Sequence, residues 1–324
     1  MDLYARPHVG RSSISLATSV VPFLGLWALM YFSLDISYLL VLALAVPTAG
    51  FLLRTYILFH DCAHGSFLPG RANDWVGSVL ALIVFTPFAR WRHEHVTHHA
   101  TAGNLDRRFI GDVPTLTLAE YQEKPWYGRL GYRLFRNPMV MFGLGPIFAM
   151  LIEPRLPKRS ARGVQRSTLV TNLALVLAVG GLCWLIGWQQ FLLVEGPLVP
   201  LAGGAGIWLF YVQHQFEDVY WERSSEWSYA DAALRGSSYL RLPKVLQFFT
   251  GNIGLHHVHH LNSKIPNYNL QRANDETPVF DRVPRMSFWD GLRATRLKLW
   301  DEHARRLVSW GDIRRGRRAA FAGS

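Results

Sequence analysis

The stretch "YLLVLALAVPTAGFLLRTYILF" occupies residues 38–59 and runs directly into "HDCAH" at 60–64. Its one charged residue is Arg54. A helix needs roughly 20 mainly apolar residues to cross a bilayer, and this run is long enough. Pro47 inside it is tolerable, because neighbouring groups in a lipid-buried helix re-satisfy the freed backbone. A similar run, "ISLATSVVPFLGLWALMYFSL" (14–34), precedes it across the short connection "DIS". Two further spans are expected at about 167–187 and 192–213, joined by "GWQQ". The expected fold is an all-α integral membrane domain with four transmembrane helices.

The distribution of charge supports this reading. The formal net charge is +11, yet all 34 Lys and Arg lie outside residues 12–53 and 167–213. A soluble surface, about a quarter charged, does not go that far without a cation. The basic balance therefore belongs to the flanks of membrane segments, and nucleic acid is not an expected partner. The connections "DIS" and "GWQQ" carry no cation. The positive-inside rule then places both termini and the large middle loop in the cytoplasm, in a multi-pass protein expected in a bacterial inner membrane. Two shorter apolar stretches, 75–89 and 139–152, are ambiguous between interfacial, re-entrant and buried helices. The basic tail, residues 310–324 with "RRGRR" at 314–318, reads as a solvated or headgroup-binding end. Cys62 and Cys183 do not form a disulfide framework. No cleavable signal peptide is expected, since the first apolar run is too long.

The 13 histidines are unevenly placed. His60 and His64 are four apart, so on a helix they share a face. In "WRHEHVTHH" (91–99), His95, His98 and His99 fall within a helical arc of about 100°, with His93 opposite. His256, His259 and His260 repeat that spacing in "GLHHVHH", with His257 beside the arc. His214 stands at the end of the fourth span. Three neutral imidazoles packed together leave lone pairs without donors, and three charged ones repel. A cation resolves both problems. Eight or nine rings are too many for one ion, so the count favours two metals with four or five ligands each. Imidazole suits iron, copper and zinc alike, and the count does not choose among them.

These clusters resemble the membrane-bound fatty acid desaturases and their related hydroxylases and ketolases. The resemblance rests on HxxxH at His60 and His64 and HxxHH at His95, His98 and His99. It is completed by HxxHH at His256, His259 and His260. It covers about residues 40–280 of what reads as a single domain, 1–324. "HDCAHGSF", "WRHEHVTHHATAGNLD" and "NIGLHHVHHLNSKIPNYNL" look like the acyl-lipid Δ12 (ω-6) branch. The resemblance implies a cytoplasmic helical cap carrying the boxes and two irons held by nitrogen ligands, with His214 completing the set. It also implies an O2-dependent insertion of a cis double bond into a fatty acyl lipid chain. Electrons come from a separate donor, a ferredoxin or a cytochrome b5-like protein. Asp61, Asp106, Glu217 and Asp218 are candidates to orient the ligating rings. The acyl chain is expected in a narrow apolar tunnel near the tops of the spans. The nearest alternative is a lipid or alkane hydroxylase, or a carotenoid oxygenase, of the same superfamily. A membrane metal transporter is a second, but transporters place polar groups near the midplane, and these spans hold almost none.

Overall fold

The computed structural model describes residues 1–156 and 161–315. Four helices are long and apolar enough to cross a membrane, or up to six segments if each of two bent helix pairs is a span. The four are α1 (Val9–Ser33), α2 (Tyr38–His64), α7 (Arg162–Ile186) and α8 (Trp188–His214). Such helices fit a membrane protein. Proline sits inside three of these helices, as Pro22, Pro47, Pro197 and Pro200. Hydroxyls inside them bond their own helix: Ser19 Oγ donates to Ser15 O, and Thr48 Oγ1 to Leu44 O. That removes the cost of an unpaired polar group in lipid.

Helix α2 packs against α1, α3 (Ala72–Ile83), α4 (Phe88–Thr101) and α8 and is the hub of the bundle. Its 27 residues extend about 40 Å, against a hydrocarbon core of roughly 30 Å. The surplus turns carry "HDCAH", so the first histidine pair continues the span instead of following it. Helix α7 is the outermost span, with Leu175 its one buried residue. The expected connection "GWQQ" shortens to Gly187, at φ +88°, because Trp188, Gln189 and Gln190 already belong to α8.

The first ambiguous stretch splits in two. Helix α3 ends at Ile83, and α4 leaves it at 105°. This turn directs the second histidine cluster away from the apolar α3. The second stretch follows α5 (Leu118–Glu123) and α6 (Trp126–Phe135) as π-helical turns at Val140–Leu144 and Ile147–Ile152. It lies against α8.

The region after His214 corrects the all-α expectation. It contains α9 (Tyr229–Leu234), β1 (Tyr239–Arg241), α10 (Lys244–Phe249), α11 (His256–Leu261) and α12 (Asn267–Glu276). β2 (Arg285–Ser287), α13 (Phe288–Ala294), β3 (Leu297–Asp301) and β4 (Arg306–Ser309) follow. β1 pairs in parallel with β2, and β3 with β4 as an antiparallel hairpin. Strands this short carry no readable alternation, and tertiary contacts decide them. β1 also positions α11, because Leu240 N–H donates to Gly254 O at 2.8 Å. Arg136, fully buried, ties the hairpin to α8 by donating to Leu297 O and Gln215 Oε1. The expected loose tail is partly folded: residues 310–315 are helical, and Trp310 packs on Tyr121 and Tyr132. The rest of "RRGRR", from residue 316 on, lies outside the described residues.

Candidate metal centre

Four helices deliver the nine expected histidines, eight from the boxes and His214. Helix α2 brings His60 and His64 on its last turns, and α4 brings His95, His98 and His99. Helix α8 ends at His214, and α11 carries His256, His259 and His260. All nine are buried. They form two groups whose ligand atoms lie within 4.8 Å of one another: His60, His64, His95, His99 and His259 in one, and His98, His214, His256 and His260 in the other.

This partition divides the shared arc of each HxxHH cluster between the two groups. In both clusters the i,i+4 pair stays together, and the middle ring goes to the other group. Successive helical residues turn by 100°, so i+4 lies 40° from i, whereas i+3 lies 60° to the other side. The 100° arc is wide enough to face two centres at once. His98 crosses to the second group and His259 to the first, and the two centres are interleaved.

The nitrogen geometry fits metal ligation. His95 and His99 approach Nε2 to Nε2 at 3.1 Å, and His99 and His259 at 3.0 Å. In the second group the approaches are His98 to His214 at 3.1 Å and His214 to His256 at 2.9 Å. Two nitrogens at right angles around an ion, each about 2.1 Å from it, lie roughly 3 Å apart. Hydrogen bonding does not explain the contacts. His214 Nδ1–H donates to Gly236 O at 3.0 Å, and His98 Nδ1–H to Asp112 Oδ1 at 2.5 Å. In the neutral rings both Nε2 atoms therefore carry lone pairs, and they face each other. Other inward nitrogens, including His64 Nε2 and His260 Nε2, have no hydrogen-bond partner. A cation in each group satisfies all of them.

Burial favours the ligating form. His256, His259 and His260 are held well below the ordinary imidazole value, first by desolvation and then by neighbouring rings. Neutral imidazole is the form that binds metal.

The orienting partners differ in part from those expected. Asp61 Oδ1 accepts from His60 Nδ1–H at 3.2 Å. Its Oδ2 accepts from the Asn267 backbone and side-chain N–H groups. Asp106 instead pairs with Arg223 at 2.7 Å, and Glu217 with Arg306 at 3.2 Å. Asp218 is exposed and makes no ring contact. The unforeseen partner is Asp112, fourteen residues beyond His98 and on a loop, where no periodicity marks it. Trp91 was also unmarked; it stacks on His95 at 4.3 Å between ring centroids and 20° between planes. The bystanders stay outside both groups. His93 is exposed, and His257 Nε2–H donates to Asn274 Oδ1 at 2.9 Å.

A cavity of about 300 Å3 leads to both groups. Leu52, Tyr56 and His60 line it from α2, and Ala202, Gly206, Phe210 and Gln213 from α8. His95 and His256 close its histidine end, so the space touches one ring set from each group. Its walls are mainly apolar, and Arg90, Glu94 and Glu153 form a polar corner. Arg90 bonds Glu153 there at 2.6 Å.

Residues 36–289 match the family model described as fatty acid desaturase. A Bacillus subtilis protein named fatty acid desaturase is 47% identical over 313 residues, covering 96% of this chain and 89% of that protein. A Synechocystis sn-1 acyl-lipid omega-3 desaturase (ferredoxin) is 28% identical over 254 residues, 72% of this chain and 66% of its own length. A Synechocystis sn-1 oleoyl-lipid 12-desaturase is 27% identical over 275 residues, 81% and 73% of the two chains. The chain belongs to the fatty acid desaturase family and is an oxidoreductase.

Proposed function

We propose that the two histidine groups hold two irons, five rings on one and four on the other, and that the cavity holds the acyl chain. The carrying observation is that nine buried rings converge as two adjacent cages at the end of one apolar cavity. When bound, such a pair supplies the reduction of O2 to two waters, using two electrons and two protons from outside, coupled to removal of two hydrogens from adjacent CH2 groups.

The rest of the task falls to this chain's residues. The apolar walls from α2 and α8 exclude water and keep the chain extended across the cage. Asp61, Asp112 and the Gly236 carbonyl hold protons on the outer ring nitrogens, so the inner ones stay available. The interleaving of the two groups prevents one cage from shifting without the other.

The product on this reading is a cis double bond in a membrane-lipid acyl chain. The box flanks favour Δ12/ω-6 placement. Relatives named for 12-desaturation and for omega-3 desaturation match at 27% and 28%, so the support for the position lies in those flanks. The donor is a separate ferredoxin or cytochrome b5-like protein; the omega-3 relative carries ferredoxin in its name. The cation-free span connections support a cytoplasmic cage and termini. The N-terminal segment bonds α12 through Tyr4 to Glu276 and Arg11 to Asn269. That supports one domain over the whole chain.

The test is expression in a host making only saturated and monounsaturated lipids, with double bonds located by mass spectrometry of derivatised methyl esters. A new diene supports the Δ12/ω-6 reading, and a new double bond elsewhere moves only the position. A hydroxy acid overturns desaturation in favour of the hydroxylase.

A further inference from the structure

The segment "LAGGAGIW" (201–208) places three glycines inside α8. Glycine in a helix interior lowers stability relative to alanine, so each needs a reason. A Cβ on Gly203 would sit 2.7 Å from both Met150 Sδ and Pro146 Cβ, and one on Gly204 2.6 Å from Phe142 O. Both are required by the close approach of the π-helical segment. Gly206 is different. A Cβ there would meet only Leu53 Cδ1, at 3.7 Å, an ordinary contact. Packing does not demand glycine at 206, and the space before it is the cavity.

The position within the cavity gives this opening a role. Ala202, Gly206, Phe210 and Gln213 form one stripe of α8 at helical spacing. Gly206 lies eight residues before His214, about 12 Å along the helix axis. Phe210 lies between, its ring 5.0 Å from His98. Across the cavity stand Leu53 and Tyr56 of α2. An alkyl chain that lies along this stripe with its reacting carbons at the cage passes Gly206.

We propose that Gly206 sets the length of acyl chain that the cavity accepts, its missing side chain leaving room for the part of the chain beyond the reacting carbons. This inference rests on the reading of the cavity as the acyl site. Gly206→Leu fills that room, so long chains are excluded before short ones.

The experiment feeds cells saturated and cis-monounsaturated fatty acids of twelve to twenty carbons and measures the fraction of each desaturated. The purified Gly206→Leu, Gly206→Ala and Gly204→Ala proteins are compared in parallel for iron content and melting temperature. Stabilisation of the iron-free proteins by the same acids gives a readout independent of turnover. Gly206→Leu is expected to lower the long-to-short conversion ratio by about tenfold or more, the discrimination a few methylenes produce. Iron content should be unchanged, and the long acids should lose their stabilising effect. Gly206→Ala should shift the ratio in the same direction by a few-fold and raise the melting temperature. Gly204→Ala, outside the cavity lining and against Phe142 O, should lower the melting temperature and leave the ratio alone. An unchanged ratio in both Gly206 variants overturns the proposal, as does equal loss at every length in an iron-replete protein. If the parent protein desaturates none of the acids, the acyl-site reading itself fails, and that result is separate from the ratio.

Discussion

His98 and His214 face each other with their Nε2 atoms 3.1 Å apart, and each holds its ring proton on the far side. Asp112 accepts one of those protons and the Gly236 carbonyl the other. Two lone pairs in contact are unfavourable unless a cation lies between them, so this pair reports the site's purpose more directly than the count of histidines does.

Asp112 should therefore control metal retention without being a ligand. Asp112→Ala is expected to weaken metal binding by about 10–100-fold, the usual effect of losing such a partner. Iron per chain after dialysis against a chelator measures it. Asp106→Ala, which breaks a surface pair with Arg223, should retain the parent's iron.

Gly111 holds the loop that presents Asp112. Its φ is +69°, and a Cβ would sit 2.6 Å from Glu94 O and 3.1 Å from His98 Cβ. Gly111→Ala is expected to push the loop off α4 and reproduce the iron loss of the Asp112 variant. It should also destabilise the fold by about 1–2 kcal/mol through the left-handed backbone. Chemical denaturation of the two variants side by side separates these effects. Full iron retention in Gly111→Ala would show that the loop is not set by this contact.

The histidines divide by role in a way that mutation can read. His98→Ala leaves the second group three rings, and we expect loss of activity together with lowered bound iron. His257→Ala removes a buried bond to Asn274, which costs about 1–2 kcal/mol of stability while iron stays. His303, exposed and remote, should tolerate alanine in both assays.

Acid should act through the same buried rings. Burial pushes His257 down to about 4, from an unfolded value near 6.5. Below 6.5 the unfolded chain binds a proton that the folded one does not, so stability falls with pH until about 4. Above 6.5 this contribution is fully present. Its size is about 3 kcal/mol at most. His256, His259 and His260 are held down in the same direction; on the proposed reading they ligate metal, so metal-loaded protein isolates the contribution of His257. In metal-loaded protein, His257→Gln should flatten the fall in melting temperature between pH 6.5 and 4. An unchanged profile would mean that another group carries the acid sensitivity.

Much of the molecule was legible because its signals are local. The runs at 14–34 and 38–59 announce themselves by length and near-absence of charge. The box histidines do so by i, i+3 and i+4 spacing, which one helix expresses without help from any other. His257 and His93 fall off those faces, and both lie outside the groups. The strands at Tyr239–Arg241 and Arg285–Ser287 were hidden because three residues carry no pattern and their pairing spans more than forty positions. Asp112 was hidden because a loop has no period.

The sequence by itself determined which rings could share a helical face, that there are more of them than one ion uses, and that the surrounding helices belong in a membrane. Each of these follows from residue type and the 3.6-residue turn. Only the tertiary structure decided that His98 and His259 change sides. Only it showed that Asp112 replaces Asp106 beside a ring, and that Gly206 lines a cavity while Gly204 packs against Phe142. Those outcomes depend on how α2, α4, α8 and α11 cross. A crossing is set by side chains far apart in the chain, and no local spacing encodes it.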